Sequence, residues 1–365
     1  MSTTLEQISR AGTSIWLDDL SRSRLVIKDE RSLHHLTQTA NVVGVTTNPA
    51  IFANALKDAS TYKEAIHALR GKGADEAIRL ITTEDVRNAC DQLGEIFIAS
   101  SGVDGRVSIE VDPRLAHEES ATIAQARELW QQVDRKNLFI KVPATKAGLP
   151  AITTLIREGI SVNVTLIFSL ERYREVLLAY IEGLERRVAD GKSLQGIASV
   201  ASFFVSRVDS AIDPILDAMD NPLAAQLRGK AAVANARLAY RIFEELTNSD
   251  RWQRIANLGG AVQRPLWAST GVKDKAYDPA KYVVELVAPD TVNTMPEATI
   301  FAASAFAGPI ANTVTGTYSE SAEVFTQLAE LGISYDAVVN ELERDGIAKF
   351  NDAWEALIAT ISTQL

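Results

Sequence analysis

The chain has 365 residues, of which 46% are hydrophobic and 23% charged, and it carries a formal net charge of −10. This composition is typical of a globular protein with a large core, and the acidic balance argues against nucleic acid or an anionic membrane as the main partner. A single cysteine, Cys90, excludes an intramolecular disulfide, and the four histidines show no metal-ligand spacing, so we expect no metal site.

Eight short apolar runs have the length and the β-branched and aromatic content of buried strands. In chain order they predict strands over 13–19, 42–48, 107–112, 138–142, 160–168, 197–205, 265–269 and, more weakly, 291–295. Apolar residues at three- and four-residue spacing predict helices between them over 118–133, 149–159, 170–183 and 230–246. Strand–helix alternation in eight units favours a closed (β/α)8 barrel, a TIM barrel of the α/β class, over an open doubly wound sheet.

Two segments are longer than the barrel needs. The connection between the second and third strands predicts helices over 49–56, 61–69 and 83–98, the last with Thr83 as N-cap and Asp85 in its first turn. After the eighth strand, 299–365 is helical, and 335–365 has the apolar spacing of a helix packed onto the barrel. We therefore expect a single domain over 1–365, with the barrel at about 13–298 and a C-terminal helical extension over about 299–365.

The fourth predicted strand contains a lysine in an otherwise apolar run, Leu138-Phe-Ile-Lys-Val-Pro143. A strand that is buried on both faces has no obvious place for an ammonium group. Either Lys141 reaches water at the end of the strand, or it is a desolvated amine that attacks a carbonyl to form a Schiff base. The run alone does not decide between these alternatives.

Polar side chains cluster near the ends of several other predicted strands. Because the active site of a barrel lies at the carboxyl ends of its strands, these side chains form one candidate set. The set comprises Asp18, Asp19, Thr46, Thr47, Asn48, Glu110, Asp112, Lys141, Asn163, Thr165, Ser202, Ser206, Ser269 and Thr270. Of these, Asp19, Thr47 and Asp112 are the most typical of helix caps. Any one of them could be a helix cap or a satisfied polar residue. Together, an amine, two carboxylates, amides and hydroxyls are what a Schiff-base enzyme requires.

A second signal points to phosphate. After the seventh strand the chain reads Trp267-Ala-Ser-Thr-Gly-Val-Lys273, in which small residues let backbone N–H groups approach an anion and Lys273 supplies charge. Arg207 follows the sixth strand. The alternative is an ordinary turn with surface charges, and these residues alone favour neither.

The chain resembles the transaldolases, in the longer bacterial branch called type 2. The resemblance rests on segments that occur in family order on consecutive predicted strands and span most of the chain. They are Ile15-Trp-Leu-Asp18, Gly44-Val-Thr-Thr-Asn-Pro-Ala-Ile-Phe52, Ser108-Ile-Glu-Val-Asp112, Ile140-Lys-Val-Pro143, Asn163-Val-Thr-Leu-Ile-Phe168, Ser202-Phe-Phe-Val-Ser-Arg207 and Trp267-Ala-Ser-Thr-Gly271.

The resemblance implies catalytic roles for four residues. Lys141 would form the Schiff base with a donor ketose, and Asp18 would take the proton of the C4 hydroxyl when the carbon–carbon bond breaks. Glu110 and Thr165 would handle the water and proton transfers of imine formation. No metal or organic cofactor is implied.

The remaining candidates would bind the substrate. Asn48 and Asn163 resemble the binders of the sugar hydroxyls and Ser202 a lining residue, while Arg207 and Ser269 would hold the phosphate. The chain departs from the shorter transaldolases in two places. Gly271 stands where they carry an arginine, so that Lys273 is the nearest cation, and Ser202-Phe-Phe replaces the common Ser-Pro-Phe.

Three functions remain open. The first is a transaldolase of the non-oxidative pentose phosphate pathway. It would move a dihydroxyacetone unit from sedoheptulose 7-phosphate or fructose 6-phosphate to glyceraldehyde 3-phosphate or erythrose 4-phosphate. The second is an aldolase that releases free dihydroxyacetone; the similar small aldolases carry glutamine in place of Glu110 and tyrosine in place of Phe204, so the sequence favours the transferase. The third is a silent barrel that binds sugar phosphates.

Location and assembly are expectations from the same residues. The N-terminus, Met-Ser-Thr-Thr-Leu-Glu, lacks the basic and apolar regions of a secretory signal, and no apolar run is long enough for a bilayer. We therefore expect a cytoplasmic protein with sugar-phosphate substrates and no nucleic-acid or membrane partner, present as a monomer or homodimer.

Overall fold

A computed structural model describes residues 2–57 and 59–365. Eight parallel strands form a closed barrel in the order of the chain, and the last strand pairs with the first. The strands are β1 Thr13–Leu17, β2 Val42–Val45, β3 Arg106–Glu110, β4 Leu138–Pro143, β5 Val162–Ile167, β6 Ser199–Phe204, β7 Gln263–Ala268 and β8 Thr291–Met295. The predicted (β/α)8 barrel is confirmed, including the weakly predicted eighth strand.

Helices surround the barrel and cover its carboxyl end. In chain order they are α1 Thr4–Arg10, α2 Arg22–Val26, α3 Leu33–Thr39, α4 Pro49–Ala55, α5 Ala59–Ala68, α6 Ala74–Gln92, α7 Gly94–Ala99, α8 Glu119–Val133, α9 Gly148–Glu158, α10 Leu170–Ala189, α11 Ser206–Asp217, α12 Pro222–Leu227, α13 Ala231–Thr247, α14 Asp250–Ala256, α15 Lys281–Val284, α16 Glu297–Ala305, α17 Tyr318–Glu330 and α18 Tyr335–Ser362. In the part of the chain that the structure describes, no helix combines the length and the apolar character needed to cross a membrane.

The prediction of a helix that begins at Thr83 is wrong. Helix α6 begins nine residues earlier, at Ala74, and Thr83 lies inside it, where its hydroxyl donates to the Arg79 carbonyl at 2.7 Å. A threonine in a helix interior can make this bond, so a cap-type residue does not by itself mark a helix start. Asp85 is buried and accepts hydrogen bonds from Arg22 and Tyr62, both at 2.8 Å, instead of facing solvent in a first turn.

The alternation of β1 orients the barrel. Successive side chains of a strand point to opposite faces, so Ser14, Trp16 and Asp18 share the inner face. Ser14 and Trp16 both donate to Asp104, at 2.7 and 3.1 Å, and Asp104 pairs with Arg264 at 3.1 Å. These contacts close the amino end of the barrel, and Asp18 emerges at the opposite end.

The inner core leaves little space below the site. Trp16 is fully buried, and a Cβ atom at Gly44 of β2 would lie 2.5 Å from its indole ring. Only a glycine permits this contact, which lets the indole pack directly on the neighbouring backbone. The ring also stacks with Phe139 at a centroid distance of 6.1 Å. The indole and the Phe139 ring therefore fill the interior of the barrel between its two polar ends.

The C-terminal helix α18 packs across that end. Gly346 lies against β5, where a Cβ atom would approach Leu166 Cδ2 to 3.1 Å. At the start of the helix, the Tyr335 hydroxyl accepts from the Leu170 amide at 3.0 Å and donates to Asn235 at 2.8 Å. The extension thus contacts the same end of the barrel as the predicted site.

Candidate active site

Lys141 lies inside the barrel. Its side chain is 5% exposed, and the Nζ atom donates to the Thr47 carbonyl at 3.0 Å. The same Nζ atom is 3.3 Å from Glu110 Oε2. The alternative in which Lys141 extends into water is therefore wrong. The contacts with the Thr47 carbonyl and the Glu110 carboxyl hold the amine at a fixed position inside the barrel.

Strand register explains why these side chains meet. Glu110 pairs with Lys141 across β3 and β4, and Lys141 pairs with Asn163 across β4 and β5. Residues at equal height on neighbouring strands point to the same face, which here is the barrel interior. Thr165 follows Asn163 by two residues and therefore lies on the same face, one layer closer to the carboxyl end.

Burial controls the protonation of Glu110. Removal from water raises the pKa of this carboxyl from 4.5 to about 7, although the charge of Lys141 opposes the shift. Within the described residues neither carboxyl oxygen of Glu110 accepts a hydrogen bond, since Nζ directs its hydrogen bond to Thr47. The buried Thr165 hydroxyl is likewise unpaired there. Buried polar atoms are nearly always paired in native proteins, so these oxygens are available to a substrate or its leaving water.

Asp18 is the second carboxyl beside the lysine. Thr46 donates to its Oδ1 atom at 2.7 Å, and the Thr46 hydroxyl also contacts the Thr294 hydroxyl at 2.5 Å. Burial raises the pKa of Asp18 above its ordinary value, against the opposing effects of the Lys141 charge and the Thr46 hydrogen bond. A raised pKa makes this carboxyl a stronger base than an ordinary aspartate, which suits a group that must accept and return a proton.

The two predicted asparagines are held by the protein. Asn163 accepts from the Ser202 hydroxyl at 2.7 Å and donates to the Ser108 hydroxyl at 3.0 Å. Asn48 is the N-cap of α4, where its Oδ1 atom accepts from the Ile51 amide at 3.0 Å. Because the cap uses only the oxygen of the Asn48 side chain, its amide nitrogen can still bind a ligand. The sequence did not indicate that Asn48 would both cap a helix and bind a ligand.

A small cavity of about 140 Å³ joins most of the candidate set. Its lining includes seven predicted residues: Asp18, Asn48, Lys141, Ser202, Arg207, Ser269 and Lys273. Glu110, Asn163 and Thr165 do not line this cavity. Glu110 faces a separate cavity of about 380 Å³ together with Thr47 and Asn48. Asn48 lines both cavities, and Glu110 Oε2 is only 3.3 Å from the Lys141 amine of the smaller one, so the two cavities adjoin at the lysine.

The other end of the cavity is cationic. Arg207 stacks over Phe204 at 5.1 Å, and burial lowers the pKa of its guanidinium. Its Nη1 atom is buried and makes no hydrogen bond within the described ranges. Ser269, in the left-handed region at φ +56°, contacts the Ser206 hydroxyl at 3.1 Å. Lys273 lies close to Gly271, where a Cβ atom would be 3.9 Å from its Nζ atom. Two cations and a serine at one end suit a phosphate.

Three residues that the structure places at the cavity received no role from the sequence. Thr46 and Thr294 hold Asp18 in position, and Phe350 of α18 lines the cavity beside Lys141. Thr294, near the carboxyl end of the eighth strand, was a usable signal. Phe350 gave none, because an apolar residue on an amphipathic helix is ordinarily a packing residue.

The chain is similar to known proteins over nearly its whole length. Residues 15–361 match the family model described as "Transaldolase/Fructose-6-phosphate aldolase". The chain is 54% identical over 366 residues to a transaldolase of Saccharopolyspora erythraea, with 100% of this chain and 98% of that protein covered. It is 55% identical over 367 residues to a transaldolase of Kocuria rhizophila, covering 100% and 99% of the two chains. A transaldolase of Mycobacterium bovis is 56% identical over 357 residues, covering 97% and 95%.

Proposed function

Because the chain belongs to the transaldolase/fructose-6-phosphate aldolase family, we propose that it is a transaldolase that carries a dihydroxyacetone unit between sugar phosphates on Lys141. One observation carries the assignment. The Lys141 amine is buried between two carboxyls, Glu110 and Asp18, whose pKa values are both raised by burial. This arrangement supplies a nucleophile and two proton-transfer groups without a metal.

The first step joins the donor to the lysine. The neutral amine of Lys141 attacks the C2 carbonyl of the ketose, and the resulting carbinolamine loses its hydroxyl as water. Glu110, 3.3 Å from Nζ and with a pKa of about 7, supplies the proton that the departing hydroxyl needs. The Thr165 hydroxyl is unpaired within the described residues and can bind that water. The product is a protonated imine on Nζ.

The second step breaks the C3–C4 bond. Asp18 accepts the proton of the C4 hydroxyl, C4 becomes the carbonyl carbon of the departing aldehyde, and the bonding electrons move into the iminium to leave an enamine on Lys141. Thr46 fixes the Asp18 carboxyl at 2.7 Å, so the proton acceptor is held at one orientation. Transfer reverses the step. The enamine carbon attacks the acceptor aldehyde, and Asp18 returns its proton to the new hydroxyl.

Substrate binding uses the polar and cationic lining. We propose that Arg207, Ser269 and Lys273 hold the phosphate. The shorter transaldolases carry an arginine at the position of Gly271, and Lys273 would supply the positive charge in its place. The unpaired and buried Arg207 Nη1 atom supports this role. Asn48, Asn163 and Ser202 would contact the hydroxyls of the three-carbon unit. A cavity of about 140 Å³ accommodates that small unit better than a whole sugar phosphate.

A lyase that releases dihydroxyacetone is the second candidate. Glu110 and Phe204, which replace the glutamine and tyrosine of the similar aldolases, favour the transferase. The test compares turnover of fructose 6-phosphate with and without erythrose 4-phosphate. We expect repeated turnover to sedoheptulose 7-phosphate and glyceraldehyde 3-phosphate only when the acceptor is present, and at most one glyceraldehyde 3-phosphate per enzyme molecule without it. Equal consumption of fructose 6-phosphate without acceptor would reject the transferase.

A further inference from the structure

Phe350 lies directly beside the reactive amine, although it comes from outside the eight strand–helix units. Its ring centroid is 5.7 Å from Lys141 Nζ, and the residue is only 6% exposed. It lines the same cavity as Lys141 and Asp18. The C-terminal helix therefore supplies one wall of the space in which the three-carbon unit would sit.

Contacts on both sides of Phe350 hold this wall in place. On the amino-terminal side, Gly346 packs closely against Leu166 and Phe168, where a Cβ atom would lie 3.1 and 3.4 Å from their side chains. On the carboxyl-terminal side, the Arg114 guanidinium lies over the Trp354 ring at 5.8 Å. A ring fixed between two packed segments cannot turn away from the amine without movement of the helix.

The cavity has little other apolar cover. Phe350 and Phe204 are its aromatic residues among those that the structure describes, and Phe204 is occupied by the Arg207 guanidinium at 5.1 Å. The remaining side chains around Lys141 are mainly hydroxyls, amides and carboxyls, all of which attract water. The Phe350 ring is thus the main apolar surface that faces the Nζ atom.

We propose that Phe350 shields the dihydroxyacetone–Lys141 adduct from water, so that the adduct persists until an acceptor aldehyde arrives. The inference rests on the proposed transaldolase function and makes Phe350 a positioning residue for the partition between transfer and release. Its effect falls on the intermediate, because the free amine and the first chemical steps need no apolar wall.

The reaction that the ring suppresses is hydrolysis of the adduct. The enamine carbon takes up a proton to give the iminium, water adds to the C=N carbon, and the C–N bond of the carbinolamine breaks. Dihydroxyacetone leaves with the water oxygen, and Lys141 returns as an amine. One water molecule is consumed for each unit released, so the rate of release depends on the access of water to the adduct.

The test measures the ratio of dihydroxyacetone release without acceptor to transfer with saturating erythrose 4-phosphate. We expect Phe350→Ala to raise this ratio about tenfold or more, a change of about 1.4 kcal/mol in relative barrier height. Phe350→Leu, which keeps apolar volume, should stay within about twofold of the wild type, given the tolerance of cores for such volume. Phe350→Val should be intermediate, and it replaces the alanine variant if that protein does not fold.

Leu357→Ala is the matched control, since Leu357 is buried on the same helix about two turns beyond Phe350 and does not line the cavity. Its ratio should match that of the wild type. An unchanged ratio in Phe350→Ala would overturn the proposed shielding role of Phe350. So would an increase in Phe350→Leu or Leu357→Ala as large as that in Phe350→Ala. Borohydride trapping separates this failure from failure of the function itself. A labelled Lys141 with an unchanged ratio rejects only the role of Phe350, whereas an unlabelled wild-type Lys141 rejects the Schiff base.

Discussion

Glu110→Gln should change how the stability of the fold depends on pH. Burial raises the pKa of this carboxyl from 4.5 to about 7 in the folded protein, whereas in the unfolded chain it titrates at its ordinary value. The folded state therefore binds the proton more tightly than the unfolded state. The corresponding stabilisation is fully present below about pH 4.5 and is lost as the pH rises through about 7.

The size of the effect follows from the same interval. A pKa that is raised from 4.5 to about 7 corresponds to about 3 kcal/mol in the free energy of unfolding. Glutamine keeps nearly the same shape and cannot titrate. The stability of the wild type relative to the variant should therefore fall by about 3 kcal/mol across this window.

Urea unfolding of both proteins at a series of pH values from about 4.5 to about 8 measures this difference. We expect the free energies of the wild type and of Glu110→Gln to diverge steadily with rising pH. Glu119→Gln, at the exposed start of α8, is the control and should run parallel to the wild type. Parallel curves for Glu110→Gln would show that the burial of Glu110 does not perturb its titration and would refute the reasoning.

Further substitutions test the other groups of the site. Lys141→Ala should abolish activity, which the coupled assay checks. The variant should keep its fold, because Glu110, whose pKa is about 7 even beside the lysine charge, takes up a proton when that charge is removed. Thermal unfolding at about pH 6 checks the fold. Asp18→Ala should still form the imine but slow cleavage by roughly a hundredfold or more, and wild-type turnover would reject its role as the proton acceptor. Arg207→Ala should raise the KM for fructose 6-phosphate by roughly tenfold to a hundredfold, the usual scale of a lost charge-assisted hydrogen bond, while the slower turnover of unphosphorylated fructose should not change.

Much of the barrel was predictable because its signals are local. Apolar β-branched runs, interrupted by Pro49 and Pro113, marked the strands, and each predicted strand overlaps an observed one. The boundaries were less accurate. The prediction for the second strand extended to 48, but β2 ends at Val45, because Asn48 leaves the sheet to cap α4. The same residues can end a strand or cap a helix, and the sequence alone does not show which of the two they do.

Contacts between distant segments were not predictable. Lys141 stood out as an amine in an apolar run, and its closeness to Glu110 follows from barrel register once the fold is known. The hydroxyl contact between Thr46 and Thr294 joins residues 248 positions apart, and no local sequence pattern predicts it. The position of Phe350 depends on how α18 crosses the barrel, which is decided by packing at Gly346.

Reduction of the trapped intermediate tests the central claim most directly. The protein is incubated with fructose 6-phosphate, treated with borohydride, digested and analysed by mass spectrometry. When no acceptor is present, the accumulated enamine takes up a proton at carbon to give the iminium, and borohydride reduces the C=N bond of that iminium. We therefore predict a stable three-carbon addition on Lys141, and none in Lys141→Ala. An unmodified Lys141, or an addition on another lysine such as Lys273, would contradict the account.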